Sequence, residues 1–198
     1  MNHRHAWKQG LAALALATLA AAASAQTTEP VLTLVATPSP GVVGSPVLVE
    51  VALTGIADLY AYQFSLAFDP TLLQAVSVAE GAFLPVAGST YFSAGSINNT
   101  AGSINFTIGS LLGALPGVNG SGVLANIGFN VTQAGTSALV FSDVLLLDSN
   151  LLDLTVQVQN GSLVTTAVPE PGTWLMFGLG LAGVAGLARR RDAARTQA

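Results

Sequence analysis

The sequence contains no cysteine, and between Gln26 and Val168 it has no lysine, arginine, histidine or tryptophan. Each absence removes a class of chemistry. Without thiols there is no disulfide scaffold, no thiolate zinc site and no cysteine nucleophile. Without histidine, the serines of the central stretch cannot form a Ser-His-Asp arrangement, and no lysine or arginine there can stabilise an oxyanion. Charge of either sign is scarce. Only 8% of the 198 residues are charged, against roughly 25% in an ordinary soluble chain. The six basic residues all lie at the two ends, as Arg4, Lys8, Arg189, Arg190, Arg191 and Arg195. The central stretch carries eight acids, Glu29, Glu50, Asp58, Asp69, Glu80, Asp143, Asp148 and Asp153, for a formal charge of −8. Such a surface repels phosphate backbones, which argues against nucleic-acid partners.

Both ends read as addresses. Residues 1–25 have the form of a secretory signal peptide: Arg4 and Lys8 first, then the 13-residue run Leu11–Ala23, interrupted only by Thr18, then Ala23-Ser24-Ala25. Cleavage by signal peptidase after that small-residue pattern leaves Gln26 as the expected mature N-terminus. Thirteen residues are too few to span a bilayer comfortably, so export is preferred over a retained anchor. The C-terminal segment 168–198 has a different order. Pro169-Glu170-Pro171 is followed by the apolar run Trp174–Ala188 and then by Arg189-Arg190-Arg191. The prolines stop any strand or helix. The run 174–188 is expected to be a single transmembrane helix, with Trp174 at the interface and the arginines held on the cytoplasmic side. Though short for a span, it can be accommodated by flanking residues and local thinning.

Between these addresses, residues 26–167 alternate with a period of two. Tyr60, Tyr62, Phe64, Leu66 and Phe68 form one apolar row, and Val47, Val49, Val51 and Leu53 another. Ile104, Phe106 and Ile108 form a third, Val123, Ala125, Ile127, Phe129 and Val131 a fourth, and Leu154, Val156 and Val158 a fifth. Half-buried antiparallel strands need this pattern. Pro38-Ser39-Pro40-Gly41, Asp69-Pro70, Asn119-Gly120-Ser121-Gly122 and Asn160-Gly161 supply turns, and Pro70–Gln74 is expected to form a short turn of helix. Many short strands with frequent turns predict an all-β, antiparallel sandwich or jelly roll. About 140 residues can bury a single core without disulfides.

The tripartite ending resembles the PEP-CTERM sorting signal of Gram-negative bacteria, carried by Pro169, Glu170, Pro171, the apolar run and Arg189, Arg190 and Arg191. The resemblance implies an exosortase as partner, removal of the tail near the PEP motif, passage through an inner-membrane intermediate, and delivery to the outer surface or an exopolysaccharide matrix. A second resemblance covers residues 31–166. The stretch Leu59-Tyr60-Ala61-Tyr62-Gln63-Phe64-Ser65-Leu66-Ala67-Phe68-Asp69-Pro70 with Leu72-Leu73-Gln74-Ala75-Val76, and the later Phe141–Val144 and Gly161–Val164, are similar to a cohesin domain. That resemblance implies a jelly-roll sandwich of about nine strands, related in fold to certain carbohydrate-binding modules. Its implied partner is a calcium-loaded dockerin on another chain.

Site chemistry is sparse. Two carboxylates suffice for glycoside hydrolysis, but sugar-stacking aromatics are few, and Tyr60, Tyr62 and Phe64 read as core. A non-enzymatic module is expected, with no cofactor. The acidic group Asp143, Asp148, Ser149, Asn150 and Asp153 is the one metal constellation in the sequence, with Asp148, Asn150 and Asp153 as candidate calcium ligands. Its spacing is not that of an EF-hand. Asp148-Ser149-Asn150 is also an ordinary turn sequence, Asp143 an ordinary bend marker, and the turn reading is preferred. Glycosylation-type triplets begin at Asn98, Asn105, Asn119, Asn130 and Asn160, where turn preference is explanation enough. The sequence thus describes an exported surface or matrix module binding protein or polysaccharide, with dockerin pairing and self-association as rival readings.

Overall fold

A computed structural model describes residues 29–168, 172 and 176–182. The signal peptide, the PEP motif, most of the apolar run and the arginine cluster lie outside the described residues. Among those described, no helix is long and apolar enough to cross a membrane.

The central domain is two packed sheets. Its strands are β1 (Val31–Thr37), β2 (Gly41–Val42), β3 (Pro46–Leu59), β4 (Ala61–Ala67), β5 (Leu73–Glu80), β6 (Thr90–Ser93), β7 (Ser96–Asn98), β8 (Ser103–Leu111), β9 (Val118–Val131), β10 (Gly135–Leu147), β11 (Gln157–Val158) and β12 (Gly161–Thr166). One sheet runs β11-β1-β3-β9-β5; the other runs β2-β12-β10-β4-β8-β6, with β7 also on β8. All pairings are antiparallel except β1 with β11 and β12 with β2. The expected all-β sandwich is therefore what forms. Its count exceeds nine through very short pieces: β2 and β11 have two residues each and β7 has three.

Alternation builds the core where strands are regular. Val47, Val49, Val51 and Leu53 of β3 are each at most 1% exposed, and Tyr62, Phe64 and Leu66 of β4 at most 2%. Phe64 meets Phe141 edge to face with ring centroids 5.9 Å apart, and Phe68 meets Phe129 at 5.1 Å. The hydroxyls buried in this interior are bonded, as burial demands. Thr107 Oγ1 donates to the Ala94 carbonyl, Thr165 Oγ1 donates to that of Gln133, and Ser137 Oγ accepts the Asp69 N–H.

Three expectations are corrected. Asn119-Gly120-Ser121-Gly122 is not a hairpin turn but part of β9, which runs beside β3 through three register shifts. There Ser121 Oγ accepts the Gly55 N–H and Asn119 Oδ1 accepts the Asp58 N–H, replacing ladder bonds that the shifts displace. Leu154–Val158 is strand only at its last two residues, because Asp148 turns the chain back and Leu154 bonds to the Leu146 carbonyl. Pro70–Gln74 does form the expected single turn, with the Leu72 and Leu73 N–H groups both on the Asp69 carbonyl, before β5 begins at Leu73. Phe106 points outward rather than into the core, for the reason given next.

Candidate binding face

Strand β4 lies at the centre of the larger sheet, and its two neighbours bulge beside adjacent residues, β10 opposite Phe64 and β8 opposite Ser65. Toward β10 the register shifts between Ser142 and Leu145; toward β8 it shifts between Phe64 and Leu66. Ser65 sits between the two bulges, paired with Ser142 and only 3% exposed. Its Oγ accepts the Phe106 N–H at 3.1 Å, a ladder bond supplied by a side chain. At each bulge one residue takes a left-handed backbone conformation, Phe106 at φ 55° and Asp143 at φ 52°. Neither is glycine, and an aromatic there is uncommon. A bulge re-aims a side chain, and here it brings Phe106, 53% exposed, and Asp143 onto the outer surface.

The rest of that surface is small and uncharged. Ala61, Gln63 and Ala67 of β4 stand beside Leu147, Leu145 and Val140 of β10, and beside Ser110, Ile108 and Ser103 of β8. Val140, Leu145 and Val164 are between 39% and 46% exposed. A shallow open depression of about 390 Å³, lined by Ala67, Phe68, Asp69, Thr136, Ala138 and Val140, continues the face toward one end of the sandwich. Asp69 stands at its edge, where Oδ1 accepts both the hydroxyl and the N–H of Thr71 at 2.6 and 2.8 Å. Those bonds favour its ionised form and lower its pKa. The arrangement suits protein docking: a flat apolar floor, one aromatic knob and one carboxylate.

The metal candidates expected from the sequence lie elsewhere, in the loop after β10. Asp148 Oδ1 accepts the Asn150 and Leu152 N–H groups, both at 2.8 Å, and so caps its own turn. Asp153 forms an isolated bridge with Leu147. Ser149 is tied instead to Asp58, whose Oδ2 accepts its hydroxyl at 2.7 Å while Oδ1 accepts the Gly117 N–H at 2.7 Å. The Ser149 hydroxyl and the Gly117 N–H together lower the Asp58 pKa. Among the described residues no group of three or more His, Cys, Asp or Glu side chains is placed to hold a metal. Calcium takes 6–8 oxygens, and Asp148 has already committed one of its own to the turn. Three of the glycosylation-type asparagines are likewise backbone caps: Asn98 for Thr100 and Ala101, Asn119 for Asp58, and Asn160 for Phe141.

Two features of the face depart from what spacing alone predicts. Phe106 belongs by alternation to an inward row, and nothing in Ile104–Ile108 announces its reversal. Asp143 does carry a signal: aspartate is depleted from strand interiors and tolerates left-handed backbone, so an aspartate inside Leu139–Leu147 marks a bulge.

Comparison with known proteins agrees with this geometry. The cohesin domain family matches residues 32–165, and the PEP-CTERM protein-sorting motif matches residues 167–191. The chain belongs to the cohesin domain family. Among solved structures, it is similar to the second type II cohesin module from the adaptor ScaA scaffoldin of Acetivibrio cellulolyticus, at 18% identity and TM-score 0.60, covering 72% of this chain and 93% of that one. A non-cellulosomal cohesin from the archaeon Archaeoglobus fulgidus matches at 15% identity and TM-score 0.52, covering 75% and 98%. A cohesin module from a family 33 glycoside hydrolase of Clostridium perfringens matches at 10% and 0.58, covering 71% and 99%. No curated protein matches the chain. The sandwich is thus a cohesin domain followed directly by a sorting motif, an exported surface module with a protein-binding role.

Proposed function

We propose that this module docks a dockerin-type protein partner on the outer face of the β12-β10-β4-β8-β6 surface, with Phe106 as apolar anchor and Asp143 as the charged contact. The observation that carries this reading is the pair of bulges opposite Phe64 and Ser65, which put Asp143 and Phe106 in left-handed backbone, uncommon for the aromatic Phe106, and expose their side chains. Cohesins crystallised with dockerins have this fold, including one from Clostridium thermocellum at 14% identity and TM-score 0.55. With no cation between Gln26 and Val168, the partner supplies any positive charge the interface uses. Delivery follows the two addresses: signal peptidase removes residues 1–25, and an exosortase processes the tail at Pro169-Glu170-Pro171, leaving the module on the surface or in the matrix of a Gram-negative cell. Membership in a family of binding modules is consistent with a non-enzymatic role.

The test is interferometry of the mature protein against a panel of calcium-loaded dockerins, with Phe106→Ala and Asp143→Ala as variants. Each substitution is expected to weaken binding at least about tenfold, equivalent to ~1.4 kcal/mol, with thermal stability retained. Binding indifferent to both variants would refute the face. Retention on polysaccharide columns without dockerin binding would favour a glycan ligand, and concentration-dependent sedimentation without either would favour self-association. Sorting is checked by intact mass from cells with and without the exosortase: a C-terminus near Pro169 only in its presence supports processing.

A further inference from the structure

The sandwich has two unlike ends. Strand β3 runs the full height, from Pro46 to Leu59. Fourteen residues at about 3.3 Å each put the ends roughly 40 Å apart, allowing for bulges. At the end marked by Pro46 the chain also leaves β12, since Thr165 and Thr166 pair with Gly41 and Val42, and Thr165 with Gly135. The surface there is made of exposed Ser39, Pro40, Gly44, Thr132, Gln133 and Ala134. The far end carries Asp58, Asp148 and Asp153, joined by Ser149 and the Leu147 bridge, with Glu29 just before β1. Glu50, Glu80 and Asp143 lie at mid-height by register, opposite Val35, Ala125 and the centre of β4. Asp69 is the single acid at the near end, bonded to Thr71.

The spacer to the apolar run is short. Seven residues, 167–173, separate Thr166 from Trp174, a reach of at most about 29 Å even when fully extended. We infer that, in the membrane-held chain, the Ser39–Gly44 and Thr132–Ala134 end of the sandwich lies on the anionic headgroups of the bilayer that Trp174–Ala188 enters, while the acidic end points away. This rests on the expectation from the sequence that residues 174–188 insert in the membrane. Two independent observations carry it. Inverting the domain would require the spacer to run along a side of roughly 40 Å, which it cannot span. And at a Debye length of about 8 Å, acids at the far end are screened from the lipid, whereas in a domain lying on its side they would come within reach of like charge. The binding face, parallel to the strands, then stands open to the side.

The absence of cysteine makes the test direct. The mature full chain, with its tail, is reconstituted into vesicles of phosphatidylethanolamine and phosphatidylglycerol containing a headgroup quencher. One fluorophore is placed by Ser39→Cys or Gln133→Cys at the near end, or by Ala114→Cys or Asn150→Cys at the far end. Quenching at least threefold greater at the two near positions is expected. Equal quenching at both ends, in protein that resists carbonate extraction, overturns the orientation and leaves membrane insertion standing. Release of the protein by carbonate overturns insertion and the orientation with it.

Discussion

Tyr62 gives the sharpest test of how this core is held. Its ring is 2% exposed, and its hydroxyl donates to the Leu124 carbonyl at 2.6 Å, across from β4 to β9. Replacing it with phenylalanine leaves the shape intact and removes one of two hydrogen bonds to the Leu124 carbonyl, which keeps the Gly81 N–H at 2.8 Å. A neutral hydrogen bond contributes about 0.5–1.5 kcal/mol net, so Tyr62→Phe is expected to lower Tm by roughly 1–5 °C in a domain of this size. The same residue governs alkaline stability. Burial, and next the negative field of Glu80, raise its pKa well above the ordinary tyrosine value of 10.0. The folded state therefore keeps the proton while the unfolded chain releases it above about pH 10. Stability contributed by the protonated form is present below that pH and declines as pH rises beyond it. Tyrosinate absorbance and circular dichroism, followed together, should show one of the three tyrosines ionising only as structure is lost. In Tyr62→Phe that coupled step should vanish. A Tyr62 that ionises reversibly near pH 10 in folded protein, or a variant as stable as the parent, would refute this account of the pair.

Three further outcomes follow from particular contacts. Gly109 lies against the Tyr62 ring, where an added Cβ would overlap Cε1 and Cζ, so Gly109→Ala should cost about 1–3 kcal/mol by overpacking, read by urea denaturation. Asn99 clamps the edge strand β5, accepting the Ala75 N–H at 2.8 Å and donating to its carbonyl at 3.0 Å; Asn99→Ala should lower stability and promote association measurable by light scattering, since it bares a pairing edge. Asp58 and Asp69 have folded pKa values below the ordinary aspartate value of 3.8, so their contribution is present above that pH and lost as pH falls below it. Substituting both with alanine should flatten the acid limb of the stability profile, and an unchanged limb would count against these bonds.

Regular strands are legible in the sequence and irregular ones are not, for one physical reason. Alternation reports facing only on a strand that carries no extra residue, so Val47–Leu53 and Tyr62–Leu66, whose bulged residues all lie on the partner strands, read correctly from spacing alone. A bulge shifts the phase by one residue without changing composition. At the shift beside Val51/Ala52, Leu124 is buried although the row through Val123 points it outward, and at the shift of β8 beside Ser65, Phe106 is exposed although its row points inward. The candidate face is made by such shifts, so the sequence yields the sheet that bears it and not the residues that distinguish it. Turn chemistry misleads at Asn119–Ser121 in a related way. Their side chains bond backbone as turn residues do, but to β3 rather than within a turn.

The missing cations also shape the edges. Sheet proteins commonly keep edge strands from pairing with other chains by placing lysine on them, and this domain has none to place. Other devices stand at every edge. In the smaller sheet one edge is β11, two residues long, and the other is β5, broken by a bulge at Ala75/Ser77 and clamped there by Asn99. In the larger sheet one edge is the two-residue β2; the other is divided between β6 and β7, with Gly95 at φ 74° in the gap and Thr107 Oγ1 donating to the Ala94 carbonyl. Short strands, a bulge and side-chain hydrogen bonds thus occupy backbone groups that charge would otherwise guard. Edge protection by fixed hydrogen bonds needs no net charge and is insensitive to salt, which suits a weakly charged module displayed outside the cell. It also leaves the outer face that bears Phe106 unobstructed, as the proposed docking role requires.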